Sequence, residues 1–144
     1  MSVRDSPFHP LRVEAGPCES EAVREHLEAF VKSFIRSDGR GRAQHILFRL
    51  AVKHPDRLKD IYKLLDERHT SPPQEWHLPT SLPSNGIYFA GGEEGWLLSL
   101  TDAEVVSGYL CQDAIWSGVC GSYAAFLHHE GSRWVCYRKI FVER

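Results

Sequence analysis

Cys120 stands in the stretch SGVCGSYAAF, residues 117–126, among small residues and with His128 and His129 just downstream. A cysteine with a histidine in reach is the raw material of thiol catalysis. The thiolate is the nucleophile, so a base or a positive field must lower the thiol pKa. The surroundings supply little of either. Residues 69–132 contain no Lys or Arg. As neighbours on a strand, His128 and His129 point to opposite faces, so only one of them can join a given site. Cys120 therefore reads as a small residue tolerated in a tight turn, and no catalytic residue is assigned. Asp102, Glu104 and Asp113 are carboxylates of the kind that exchange protons in a pocket. Acids are rarely buried unpaired, so these three read first as solvated loop residues.

The stretch GVCGSYAAF superficially resembles two protease signatures. Aligned with the papain-type C-G-S-C-W-A-F, Cys120 takes the first, structural cysteine and Tyr123 stands where the nucleophile belongs. That family also needs its histidine well over a hundred residues downstream, whereas 21 residues follow Tyr123. Aligned with the G-x-C-G of chymotrypsin-like viral cysteine proteases, Cys120 does match the nucleophile. That resemblance implies an earlier β-barrel carrying the histidine and acid, and the earlier half of this chain reads as helical. Neither match covers more than about ten residues, and neither assigns a function.

Metal chemistry has no better footing. His45 and His54 are followed by Pro55, and His9, His26, His69 and His77 form no H-E-x-x-H spacing. Cys18, Cys111, Cys120 and Cys136 contain no C-x-x-C pair, so no metal site and no cofactor are expected.

The elements that must position any site fall into two grammars. Val23, Leu27, Phe30, Val31, Phe34 and Ile35 repeat with a helical period, with Glu19, Glu21 and Glu25 near the favourable N-terminal end. Ala43, Ile46, Leu47, Leu50 and Ala51 repeat the stripe. Pro55 then opens a further helix that carries Leu58, Ile61, Tyr62 and Leu65 inward. Helices are expected over about 18–37, 42–54 and 55–68. Residues 1–16 read as an extended or disordered lead-in, and 70–84 as a proline-rich connecting loop anchored by Trp76. From Ile87 the pattern changes to strands. IYFAGGEEGWLLSL and YAAFLHHEGSRWVCYRKIFV each read as a hairpin around a glycine-bearing loop. Between them, TDAE at 101–104 is a capping-box pattern with Thr101 at the cap, while VVSGYL and AIWSGV suit strands. The balance for 101–117 tips towards strands after a short helical turn. The fold class is α+β: one domain over 1–144, its N-terminal helices packed on one face of a C-terminal antiparallel sheet of four to six strands, about 86–142.

At 144 residues, 42% apolar and 25% charged, the chain can bury a core without a metal or disulfide. No long uncharged apolar run suggests a membrane span, and the opening residues lack the apolar centre of a signal peptide. The expectation is a cytoplasmic protein that does not enter the membrane. The net charge of −2 conceals segregation. Residues 32–68 carry 10 Lys/Arg against 5 Asp/Glu, while residues 69–132 carry 7 acids and no Lys or Arg. Arg36, Arg40, Arg42 and Arg49 lie in the basic part and are the candidate partner contacts. An anionic protein is the partner they suggest. Nucleic acid suits them less well, since no nucleic-acid motif frames them and the pI is about 6.4. A homo-oligomer is left open. The leading functional reading is thus a non-enzymatic binding or regulatory module. The alternative is a small-molecule-binding or enzymatic cone with an aromatic-lined pocket against a curved sheet, using Tyr109, Asp113, Trp116, Tyr123 and His128.

Overall fold

In the computed structural model, residues 16–71, 85–92, 94–128 and 133–137 are described, with backbone alone at 69–71, 119 and 133–137. Residues 1–15 and 72–84, which hold most of the expected lead-in and connecting loop, lie outside them.

The expected α+β class is observed. Among the described residues seven strands form one antiparallel sheet in the order β1-β4-β3-β5-β6-β7-β2. Five come from the C-terminal half: β3 (Gly86–Phe89), β4 (Gly95–Leu98), β5 (Ala114–Val119), β6 (Tyr123–Leu127) and β7 (Arg133–Tyr137). The two edges are short strands from outside that half. β1 (Gly16–Cys18) pairs with β4, and β2 (Thr70–Ser71) pairs with β7. Gly16 is thus in the sheet, not in a lead-in, and Thr70 is not in a loop. Both expected hairpins form, β3 with β4 and β6 with β7. Gly91 (φ 95°) and Gly92 (φ 78°) take the left-handed backbone that the first of them needs.

The helices of the N-terminal half cover one face. α1 (Ser20–Phe34) buries Val23, Leu27, Phe30, Val31 and Phe34, as its stripe requires. Phe30 and Phe34 meet edge-on at 5.5 Å. α2 (Arg40–His45), a π-helical turn (Ile46–Leu50) and α3 (Ala51–Lys53) form one continuous run. It buries Ala43, Ile46, Leu47 and Ala51. The segment expected as a third α-helix is wound tighter, as a 3-10 helix over Pro55–Leu64. Three residues per turn stack Leu58, Ile61 and Leu64 and rotate Tyr62 outward. Tyr62, expected in the core, is 41% exposed and leans on Phe126 at 6.2 Å. The backbone closes the layer through Asp66 N–H to Phe34 O at 2.8 Å and Arg36 N–H to Leu64 O at 3.0 Å.

The opposite face is covered too. Residues 100–110 are a helix, α4 (Leu100–Leu110), which corrects the preference for strands there; AIWSGV is the strand β5. The cap is Ser99, two residues before the expected Thr101, its hydroxyl accepting from Asp102 N at 3.1 Å. Leu100, Ala103, Val106 and Ser107 face the sheet. Their helical spacing outweighs the strand preference of Val105 and Val106. Alternation along each central strand then divides the core. Ile87, Phe89, Ile115, Ala124 and Phe126 join the helices of the N-terminal half. Tyr88, Trp116, Tyr123, Ala125 and Leu127 join α4. Among the described residues no helix is long and apolar enough to cross a membrane.

Candidate functional site

The five residues expected to line an aromatic pocket do not converge on one cleft, although two of them, Trp116 and Tyr123, meet each other. Trp116 and Tyr123 are 1% and 0% exposed, edge-on to each other at 6.1 Å in the core beneath α4. The Trp116 indole N–H donates to Leu98 O at 2.8 Å, which ties its polar end to the sheet. Tyr109 points outward from α4, 66% exposed. Asp113 is buried where β5 begins, beside a cleft of about 320 Å³ shared with Pro55, Asp56 and Lys59. His128 lies on the other side of the sheet against Tyr62, ring centroids 6.4 Å apart. The polar cluster under α4 is instead Tyr88, whose hydroxyl meets Ser107 Oγ at 3.0 Å and accepts from Gln112 Nε2 at 2.8 Å. Burial pushes that phenol up, so it stays neutral and serves as a bolt between sheet and helix.

Cys120 sits in the exposed turn after β5. Partial burial of the sulfur, and the Glu25 carboxylate behind it, push the thiol up. Its thiol donates to Glu25 O at 3.9 Å. His128 follows the far end of β6, roughly 17 Å of strand away at 3.4 Å per residue over five residues. The small neighbours have a structural reason. Gly121 is left-handed at φ 72°, and a Cβ there would sit 3.3 Å from Ser33 Oγ on α1.

A different residue of the same stretch makes a site. Ser117 Oγ on β5 lies 2.6 Å from His26 Nδ1 on α1. α1 brings His26 to the sheet because it falls between the buried Val23 and Leu27. Ser117 is paired with Ile87 of β3 and is itself 3% exposed. Just beyond it the register shifts between Ser117 and Val119, so Gly118 bulges out of the ladder with β6. Burial holds the half-buried imidazole below its usual range, with Glu25 pulling the other way. The pair borders a cleft of about 420 Å³ walled by Pro17, Ala22, Ile87 and Leu97. No spacing in the sequence announces this pairing, since the partners are 91 residues apart.

The four candidate arginines, Arg36, Arg40, Arg42 and Arg49, are all exposed on the helical layer. Arg36 lies 3.5 Å from Asp38, and Arg40 Nη2 donates to Lys32 O at 3.0 Å. Arg49 lines a shallow cleft of about 360 Å³ with Arg24, Glu28, Gln44, His45 and Phe48. No pattern in the sequence points to Arg24. Its guanidinium lies 4.5 Å over the Phe48 ring and 2.8 Å from Glu28 Oε1, so it is held in place. Among the described residues no three His, Cys, Asp or Glu side chains are grouped to hold a metal ion.

The chain matches no protein-family model, no curated protein and no solved structure.

Proposed function

We propose that the protein is a single-domain, non-enzymatic binding module that takes an anionic protein partner on the outer surface of its helical layer. The observation that carries this reading is the cleft in which Arg49 and His45 stand beside Arg24, itself fixed over Phe48. Arg24 already pairs with Glu28, so Arg49 is the guanidinium of this cleft that would take a partner's carboxylate, its planar fork matching that group. Arg36, Arg40 and Arg42 extend the positive surface, since the inner side of the same helices is spent on the core. The segregated charge seen along the chain supports steering of the encounter. The free Cys18, Cys111 and Cys120 are in keeping with a cytoplasmic setting.

The test is titration with a Glu/Asp-rich peptide and with duplex DNA at rising salt, for the wild type and for Arg40→Glu/Arg42→Glu/Arg49→Glu. The reading requires peptide binding that weakens beyond roughly 0.15 M salt, where the screening length is ~8 Å, and that the triple variant loses while melting at an unchanged temperature. Tighter binding of DNA than of the peptide would reassign the surface to nucleic acid. Equal peptide binding by wild type and variant would mean that these arginines only solvate the helices.

A further inference from the structure

We propose that the cleft between the start of α1 and the β3–β5 part of the sheet is a binding site for a small, uncharged molecule. The ligand is apolar over most of its surface and carries one carbonyl oxygen, which takes its hydrogen bond from the His26–Ser117 pair. The proposal does not depend on the arginine surface.

The shape comes first. A volume of about 420 Å³ falls within the range of small-ligand clefts, which is roughly 300–1,000 Å³. Much of the wall is apolar, with Pro17 from β1, Ala22 from α1, Ile87 from β3 and Leu97 from β4, and the exposed Asn85 stands at the rim. Leu97 is 40% exposed although both its neighbours on β4, Trp96 and Leu98, are buried. An apolar ligand would cover that side chain and gain from the water released.

The floor supplies direction. His26 and Ser117 are bonded to each other, and among the described residues the second ring nitrogen of His26 makes no hydrogen bond. A neutral imidazole carries one N–H. If His26 Nδ1 accepts the Ser117 proton, the imidazole N–H is on Nε2 and is unspent. If Nδ1 carries the proton and donates it to Ser117 Oγ, the serine O–H is unspent. Either tautomer therefore leaves one donor over, in a mostly apolar cleft where a lone donor gains most from a carbonyl acceptor. Burial favours the neutral imidazole that this requires.

Charge narrows the ligand class. Among the described residues no Lys or Arg lines the cleft, and the carboxylate that does is Glu19, at the exposed rim. An anion would meet Glu19 without a compensating cation. A cation would find Glu19 only in water, where such pairs are weak, and would face apolar walls inside. An uncharged ligand incurs neither cost.

The experiment uses the full chain labelled with nitrogen-15 and four probes on one skeleton: benzamide, methyl benzoate, benzoate and benzylamine. The amides of Ala22, Leu97, Ser117 and Gly118 should shift with benzamide and methyl benzoate, with affinity at least tenfold above that of benzoate and benzylamine. Ser117→Ala and His26→Gln should each weaken benzamide at least threefold. Ala22→Phe, which fills the cleft from the half-buried side of α1, should abolish its binding and keeps the proposal testable if the Ser117 variant fails to fold. Benzoate or benzylamine binding as well as benzamide, shifts centred elsewhere, or no shift with any probe would each overturn the proposal.

Discussion

Ser117 on β5 and His26 on α1, 91 residues apart in the chain, share a hydrogen bond of 2.6 Å. It joins the first helix to the middle of the sheet. It also puts a titratable group at the seam between them, and this has a consequence for stability.

Burial lowers the His26 pKa in the fold, while the unfolded chain titrates near 6.5. In the window between these two values the unfolded state binds more protons, so stability rises with pH there. The contribution is complete above about pH 6.5 and is lost as pH falls through the folded value. His26→Gln keeps a polar partner for Ser117 and cannot take up a proton. Urea unfolding at pH 7.5, 6.5 and 5.5 should show a shallower acid-side loss for this variant than for the wild type. Identical pH profiles would show that His26 is as free to charge in the fold as in the unfolded chain.

Cys120 should behave as an ordinary or sluggish thiol. Its sulfur is partly buried beside Glu25, and both effects disfavour the thiolate. With a small alkylating reagent at pH 6, Cys120 should react no faster than a model thiol. A rate well above that of the model thiol would restore it as a nucleophile.

Two glycines should respond in opposite directions to the same change. A Cβ at Gly108, inside α4, would meet nothing within 4 Å, so Gly108→Ala should stabilise by about 0.5–1 kcal/mol through the backbone freedom removed from the unfolded chain. A Cβ at Gly95, on β4, would lie 2.4 Å from Val23 Cγ2. Val23 is branched and buried at the start of α1, so it has little room to yield, and Gly95→Ala should cost about 1–3 kcal/mol. Denaturant melts of both variants decide this. A Gly95→Ala protein as stable as the wild type would mean that α1 can move off β4 freely.

Patterns that repeat within a few residues were legible in the chain. The stripe from Val23 to Ile35, the turn glycines at 91 and 92 and the two hairpins follow from local period and turn chemistry, and the structure has them where the sequence puts them. α4 was not legible in this way, because a helix with apolar residues on its outer side as well, at Val105 and Tyr109, has no clear stripe to read. Tyr62 depended on whether its segment wound with three residues per turn or 3.6. The aromatic residues of the β half were visible, but whether they lined a pocket or filled a core depended on α4 lying over Trp116 and Tyr123. The sequence by itself determined which segments become helices of the first half and which become hairpins, since those choices are made by neighbours along the chain. The tertiary structure alone decided that His26 meets Ser117, because that contact exists only once β5 takes its place beside β3 and α1 lies across them.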